Sequence, residues 1–237
     1  MGKLEEYFGG DGLAANVWLT KYALKDKSGK ILEETPDDMH NRIASEFARM
    51  ELKFGGENAL SQEQIYDLIK NFQYIVPQGS PMMGIGNNHV NVSLSNCVVV
   101  ASPEDNISSI IDSSKSLANL FKRRCGVGLD ISQLRPEGTP VNNSAGTTTG
   151  AWSFADLYSY VCRMIGQNGR RGALMISMDV RHPDIEKFVT MKHDLTKVTG
   201  ANVSVKISDD FMEAVESNGT FTLRFPVNSE NPKYTRE

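Results

Sequence analysis

The chain is predicted to be an α/β protein, with a small helical region followed by a mostly parallel sheet carrying crossover helices. Three observations predict this. Two helix-start signatures fall close together between Thr35 and Gln64. From Val90 onward, short strand-like runs alternate with helical stretches long enough to cross over a sheet. The runs 97–101 and 172–176 are almost continuously apolar, as expected of strands buried on both faces.

Residues 1–35 are rich in Gly and charge and are expected to form an irregular N-terminal arm. Thr35-Pro36-Asp37-Asp38 then opens a helix, with Thr35 as N-cap, Pro36 at the first helical position and acids in the first turn. Ile43, Phe47, Met50 and Leu52 roughly follow its apolar face, and Gly55-Gly56 stop it. Ser61-Gln62-Glu63-Gln64 is a second capping box, opening a helix that runs to about Phe72. These helices define a region over 36–89. Across 90–237 the expected order is strand 92–101, helix 106–123, strand 126–131, helix 153–165, strand 172–178, helix 183–192, strand 201–207, helix 208–217 and strand 220–225. There is no internal repeat and no low-complexity segment.

With 237 residues, 40% of them hydrophobic, a real core is within reach, as one large domain or a small one plus a larger one. The net charge of −4 argues against non-specific binding to nucleic acid, although local Arg clusters can still hold a phosphate. No apolar run approaches the ~18 residues of a membrane span. The opening MGKLEEYFGG lacks an apolar signal core, and Glu6 breaks the myristoylation pattern. Cys97, Cys125 and Cys162 do not make a disulfide framework, and no metal site is read from the chain. A reducing cytoplasm fits this usage.

The chemistry concentrates between Asn91 and Arg171. Cys97 sits in Ser95-Asn96-Cys97-Val98-Val99-Val100, where it is either a buried core thiol or a redox thiol. Ser80-Pro81 reads locally as an ordinary turn. Arg135 stands near Gly-rich backbone, a setting that suits phosphate, although most surface Arg residues bind only water. The loop Asn142–Gly150, NNSAGTTTG, supplies small residues and many donors. GQNGRRG at 166–172 is either a polar αβ turn or a loop whose glycines allow several backbone shapes while Gln, Asn and Arg read a base or phosphate.

The stretches NVSLSNCVVVASPEDNISSII, RRCGVGLDISQLRPEGTPVNNSAGTTTGA and GQNGRRGALM resemble the large subunit of ribonucleotide reductase, in the family's order and close to its spacing. The resemblance runs from about Asp37 to the last residue. It implies a helical N-terminal region followed by the first part of a ten-stranded α/β barrel made of two half-barrels, with 90–237 as roughly the first half. It implies replacement of a ribonucleotide 2′-hydroxyl by hydrogen. Cys97 would be the first cysteine of the redox pair, its partner lying on a later strand beyond Glu237. Ser80, Asn96, Cys125, Gly126 and Asn202 would contact substrate. Between Ser80 and Cys97 this chain is about one residue longer than some relatives, Asn96 is often serine in them, and Cys125 reads as a small spacer before Gly126. Asp105, Arg135, Asn142 and Ser144 would hold an allosteric dNTP or ATP with Mg2+, Asp105 on the sugar and Arg135 on phosphate. Gln167, Asn168, Gly169, Arg170 and Arg171 would form the second specificity loop, and helix 106–123 would lie at the contact with a second large subunit.

The family's radical-bearing cysteine motif lies further downstream, so the chain is expected to be part of an enzyme and inactive alone. No activity-control domain is read ahead of the arm. The implied partners are a C-terminal half of the large subunit, a second large subunit, the ribonucleotide, and thioredoxin or glutaredoxin acting through the C-terminal part. The radical would come from the dimetal small subunit of class I or from adenosylcobalamin in class II. Both use this barrel, and overall texture leans to class I. No nucleic acid or membrane is implied, and the expected compartment is the cytoplasm, or a host's if the gene is phage-encoded. The alternative is a non-catalytic nucleotide-binding or dimerisation module derived from the same family.

Overall fold

The computed structural model describes residues 2–165 and 172–236, and the chain divides into two units, Met1–Asn96 and Cys97–Glu237. The first unit is helical. Residues 1–35 are not irregular: they carry α1 (Lys3–Tyr7) and α2 (Gly12–Lys21). The Asp11 side chain accepts from Ala14 N at 2.9 Å, and Ala15 and Trp18 are buried. Gly9 and Gly10 lie just outside α2 at φ 61 and 91, so the glycines punctuate helices rather than preventing them.

Helix α3 (Pro36–Phe54) starts where the capping signature predicts, with the Asp38 carboxylate accepting from Thr35 N at 3.0 Å and Glu34 N at 2.8 Å. Met39, His40, Ile43 and Ala44 are buried in it, packing with Trp18, Ile65 and Ile69. Phe47, Met50 and Leu52, expected on the same apolar face, are exposed, because the last turns of α3 run past this core. Helix α4 (Gln62–Ile69) opens on a reciprocal pair, Gln64 N to Ser61 Oγ at 3.2 Å and Ser61 N to Gln64 Oε1 at 2.8 Å. It ends three residues before Phe72, since Asn71 (φ 53) and Phe72 (φ 56) turn left-handed. A short helix, α5 (Gly79–Gly84), follows. Glu33 and Arg42 pair inside the unit at 2.7 Å; Glu33 also accepts from Leu24 N, and Arg42 donates to Met82 O at 2.8 Å and to Ile85 O.

The second unit is a parallel sheet in the order β1-β2-β3-β4, built from β1 (Cys97–Val99), β2 (Gly126–Asp130), β3 (Leu174–Asp179) and β4 (Asn202–Lys206). The connections contain α6 (Ile107–Phe121), α7 (Ala151–Met164) and α8 (Ile185–Thr190), and α9 (Asp209–Glu216) follows β4. The sheet is open rather than a closed barrel. One face packs Val127, Leu129, Leu174 and Ile176 against Leu117, Phe121, Ala155 and Tyr158 of α6 and α7. The other face is uncovered within this unit. Burial on both faces, expected for 97–101 and 172–176, is therefore not observed: Val99 is 83% and Met175 44% exposed.

Two further expectations change. The strand expected over 92–101 shortens to three residues, because polar side chains of the Ser-Asn segment bond locally, as in Ser95 N to Ser93 Oγ at 3.1 Å. The run 220–225 does not extend the parallel sheet: β5 (Leu223–Phe225) pairs antiparallel with β6 (Tyr234–Arg236) in a separate ribbon. In α6 the cap is Asn106, accepting from Ser109 N at 2.9 Å, rather than Asp105. Its apolar stripe also divides. Ile110, Leu117 and Phe121 are buried, whereas Ile107 is 66% and Ile111 51% exposed. Leu117, on the helix expected at the contact with a second large subunit, is a core residue.

That division is measurable. Leu117→Ala should cost about 2–5 kcal/mol of unfolding free energy in urea, and Ile111→Ala about 0.5 kcal/mol. Equal losses would mean that the inward face of α6 is wrongly assigned.

Candidate functional site

Strand alternation decides what the open face offers. Side chains at every second position point the same way, so Cys97, Gly126, Met175 and Asn202 share the uncovered face with Val99 and Gly128. Cys97 is paired in register with Gly126, which has no side chain to cover the thiol. A cavity of about 330 Å³ opens there, and Cys97, Gly126 and Asn202 line it together with Met175. Two of the expected substrate contacts, Gly126 and Asn202, thus converge with the expected redox thiol. Cys125 does not join them: it sits just before the strand, and its side chain is buried. Cys162 is also buried, and burial pushes its thiol up. Of the three cysteines only Cys97 is exposed, the requirement for a thiol that must meet substrate.

Ser80 and Asn96 belong to the helical unit, and a hydrogen bond joins them. Ser80, buried near the start of α5, donates its backbone N–H to Asn96 Oδ1 at 2.7 Å, and Asn96 Nδ2 donates to Gln78 Oε1 at 2.6 Å.

Further along the open face lies a polar cluster that motif reading missed. Asp130 Oδ2 accepts from Ser177 Oγ at 2.8 Å and pairs with Lys206 Nζ at 3.0 Å. Burial pushes the Asp130 carboxyl up, but hydrogen bonds from Ser177, Lys206 and Ser132 outweigh it and hold the group below its ordinary value. The signal was present in the alternation itself, since GVGLD and NVSVK put Asp130 and Lys206 on the same side as Gly126 and Asn202.

The expected nucleotide-binding residues gather beyond the C-terminal end of β2. Arg135 Nε donates to Asp105 Oδ2 at 2.7 Å, and Arg135 N to Asp105 Oδ1 at 3.1 Å. The guanidinium also reaches Asp105 O and Pro140 O, both at 3.2 Å. Three of its five N–H groups are thereby used, so two remain for an anion. The following segment folds back on itself through the Pro140–Thr147 bridge and Val141 N to Gly146 O at 2.9 Å, which leaves Asn142 and Ser144 exposed at the tip. Gln167, Asn168, Gly169, Arg170 and Arg171 lie outside the described residues.

Comparison with known proteins agrees with this architecture. The ribonucleotide reductase all-alpha domain matches residues 9–89, and the ribonucleotide reductase barrel domain matches residues 95–236. The chain belongs to the ribonucleotide reductase large-subunit family. It is 32% identical over 215 residues to the vitamin B12-dependent ribonucleoside-diphosphate reductase of Mycobacterium tuberculosis (strain ATCC 25618 / H37Rv), covering 90% of this chain and 30% of that protein. It is 28% identical over 233 residues to the ribonucleoside-diphosphate reductase large subunit of Trypanosoma brucei brucei, covering 93% of this chain and 26% of that one. The chain therefore spans about 30% of the length of such relatives. Among the described residues no group of three or more His, Cys, Asp or Glu side chains could hold a metal ion, and no helix is long and apolar enough to cross a membrane.

The entry to the segment that follows Leu134 is held by a buried histidine. His182 Nδ1 accepts from Asp184 N at 3.0 Å, so Nε2 carries the proton and donates to Leu134 O at 2.8 Å. Burial pushes the imidazole below its ordinary 6.5, against the Leu134 bond and the charges of Asp184, Asp179 and Asp130. The folded state thus holds His182 neutral while the unfolded chain binds a proton. This contribution is complete above pH 6.5 and is lost as pH falls below it. His40, also lowered by burial, acts in the same direction in the helical unit. Unfolding free energy should therefore drop between about pH 7 and pH 5.5, and His182→Gln should flatten that slope. Parallel slopes for wild type and variant would contradict a neutral buried His182.

Proposed function

We propose that the chain is the N-terminal part of a ribonucleotide reductase large subunit and reduces ribonucleotides to 2′-deoxyribonucleotides once a C-terminal half completes the barrel. The observation that carries this reading is Cys97, exposed on the uncovered face at a cavity shared with Gly126 and Asn202. Cys97 and a thiol from the completing half supply two electrons and two protons. An S–S bond forms, the ribose 2′-oxygen leaves as water and a C2′–H bond replaces it. Asn202, with a donor and an acceptor at the cavity, orients the ribose hydroxyls, and Gly126 lets the sugar approach the backbone. Ser80 and Asn96, joined by a hydrogen bond within the helical unit, are taken as substrate contacts on the family resemblance alone. The radical that starts the reaction arises outside the described residues, from a dimetal subunit or adenosylcobalamin, and thioredoxin or glutaredoxin restores the thiols through the completing half. The reaction belongs in the cytoplasm.

A deoxynucleoside triphosphate or ATP with Mg2+ binds separately at Asp105, Arg135 and the loop reaching Asn142 and Ser144. Asp105 meets the sugar and Arg135 the phosphates, with 167–171 carrying the effector's identity toward the substrate. Ile107 and Ile111, left exposed beside this site on α6, suit a two-fold contact with a second large subunit.

The purified chain should show no turnover with reductant and either radical source. Adding the completing polypeptide should restore multiple turnover, and Cys97→Ser should then abolish it. Normal multiple turnover in that variant would make Cys97 a plain surface thiol. A complemented complex that binds dNTP without reducing ribonucleotide would favour a non-catalytic module.

A further inference from the structure

The segment from Arg135 to the start of α7 leaves the sheet and returns to it, and a single buried carboxylate holds both ends. Asp184 Oδ1 accepts from Glu137 N at 3.0 Å, two residues after Arg135. Asp184 Oδ2 accepts from Ala151 N at 2.9 Å, at the first residue of α7. Gly150 is wedged against the same group: it has φ +89, and a Cβ there would lie 2.5 Å from Asp184 Oδ2 and 2.8 Å from Glu137 N. Asp184 is itself seated by its backbone N–H on His182, whose far nitrogen holds Leu134 O, the carbonyl just before Arg135. Three points of the segment, at 134, 137 and 151, are thus tied to two adjacent buried side chains of the β3–α8 connection.

We infer that Asp184, seated by His182, is a positioning residue of the nucleotide site, setting the shape of loop 135–150 and through it the affinity and base selectivity for a nucleoside triphosphate. This rests on the proposal that Asp105, Arg135 and that loop bind such a nucleotide. Outside its Pro140–Thr147 closure, Gly138 N to Thr148 O and Thr148 N to Thr139 O, both at 3.0 Å, join the two limbs of the loop to each other, Arg135 Nη1 holds Pro140 O at 3.2 Å, and the solvent-accessible Glu137 side chain pairs with Lys187 of α8 and accepts from Trp152 Nε1 at 3.0 Å. Asp184 supplies the buried tie, holding backbone of both limbs to the β3–α8 connection. A carboxylate can accept from both ends at once because both oxygens are acceptors; an asparagine must turn an NH2 toward one of the two N–H donors.

The test compares the wild-type chain with Asp184→Asn and Arg135→Ala. Calorimetry with dATP, dGTP, dTTP and dCTP is read beside thermal unfolding and amide hydrogen exchange. Asp184→Asn should weaken binding by about tenfold and compress the differences among the four nucleotides. Exchange should speed up at Glu137 and Ala151, while β2, β3 and the later turns of α7 keep their protection. If Asp184→Asn misfolds, Gly150→Ala addresses the same contact from the loop side and should give the same loss of selectivity. Unchanged affinity and selectivity in a folded Asp184→Asn, with Arg135→Ala still weakening binding, would overturn the positioning role and leave the site standing. Wild-type chain that binds none of the four nucleotides across protein concentration, or Arg135→Ala that binds as wild type does, would overturn the site itself and this inference with it.

Discussion

The second unit depends on the fact that its four parallel strands are covered on one face only. Each inward apolar side chain on the helix face contributes about 1.5–3 kcal/mol by leaving water, and Val127, Leu129, Leu174, Ile176 and Met178 all do so. The opposite face has no such source of stability. Its positions are therefore free to carry chemistry: a thiol at Cys97, bare backbone at Gly126 and Gly128, an amide at Asn202 and an ionic cluster at Asp130, Ser177 and Lys206. Because the period is two, a shift of Cys97 by one residue would take its thiol off the exposed row, to a half-buried position such as that of Val98.

The same strands place the loops. The connection after β2 carries Arg135, and the connection after β3 carries the two side chains that seat it. Exposure then separates two kinds of ion pair. Arg135 and Asp105 are each 32% exposed, so solvent screens their attraction to about 1 kcal/mol or less, and a charged ligand competes on favourable terms. Glu33 and Arg42 are 4% and 10% exposed and hydrogen-bonded on several sides. Removing one partner there would leave a buried charge, at a cost of about 3–5 kcal/mol. That pair holds the helical unit together and has no freedom to exchange ligands.

Much of this was legible in the residues. Capping boxes at Thr35 and Ser61 and the alternation of strands and helices after Val90 follow from local chemistry, and the family follows from its motifs. What could not be read was set by packing between distant segments. A continuous apolar run such as Cys97–Val100 looks the same whether one face is covered or two. Glycines near Asp11 looked like disorder but delimit helices. Leu117 and Ile111 fall in one stripe on a helical wheel, and only the position of α7 decides which is core. His182 and Asp184 carry no motif of ligand binding, because their partners are backbone groups at 134, 137 and 151, which sequence spacing does not reveal.

The central claim is that the uncovered face is the reacting face and that Cys97 is the thiol spent there. The most direct measurement is disulfide mapping by mass spectrometry on the complemented enzyme after a single turnover without added reductant. The account predicts that Cys97 becomes linked to a cysteine of the completing polypeptide in proportion to the deoxynucleotide formed, while Cys125 and Cys162 stay reduced. Product formed while Cys97 remains a free, alkylatable thiol would contradict it.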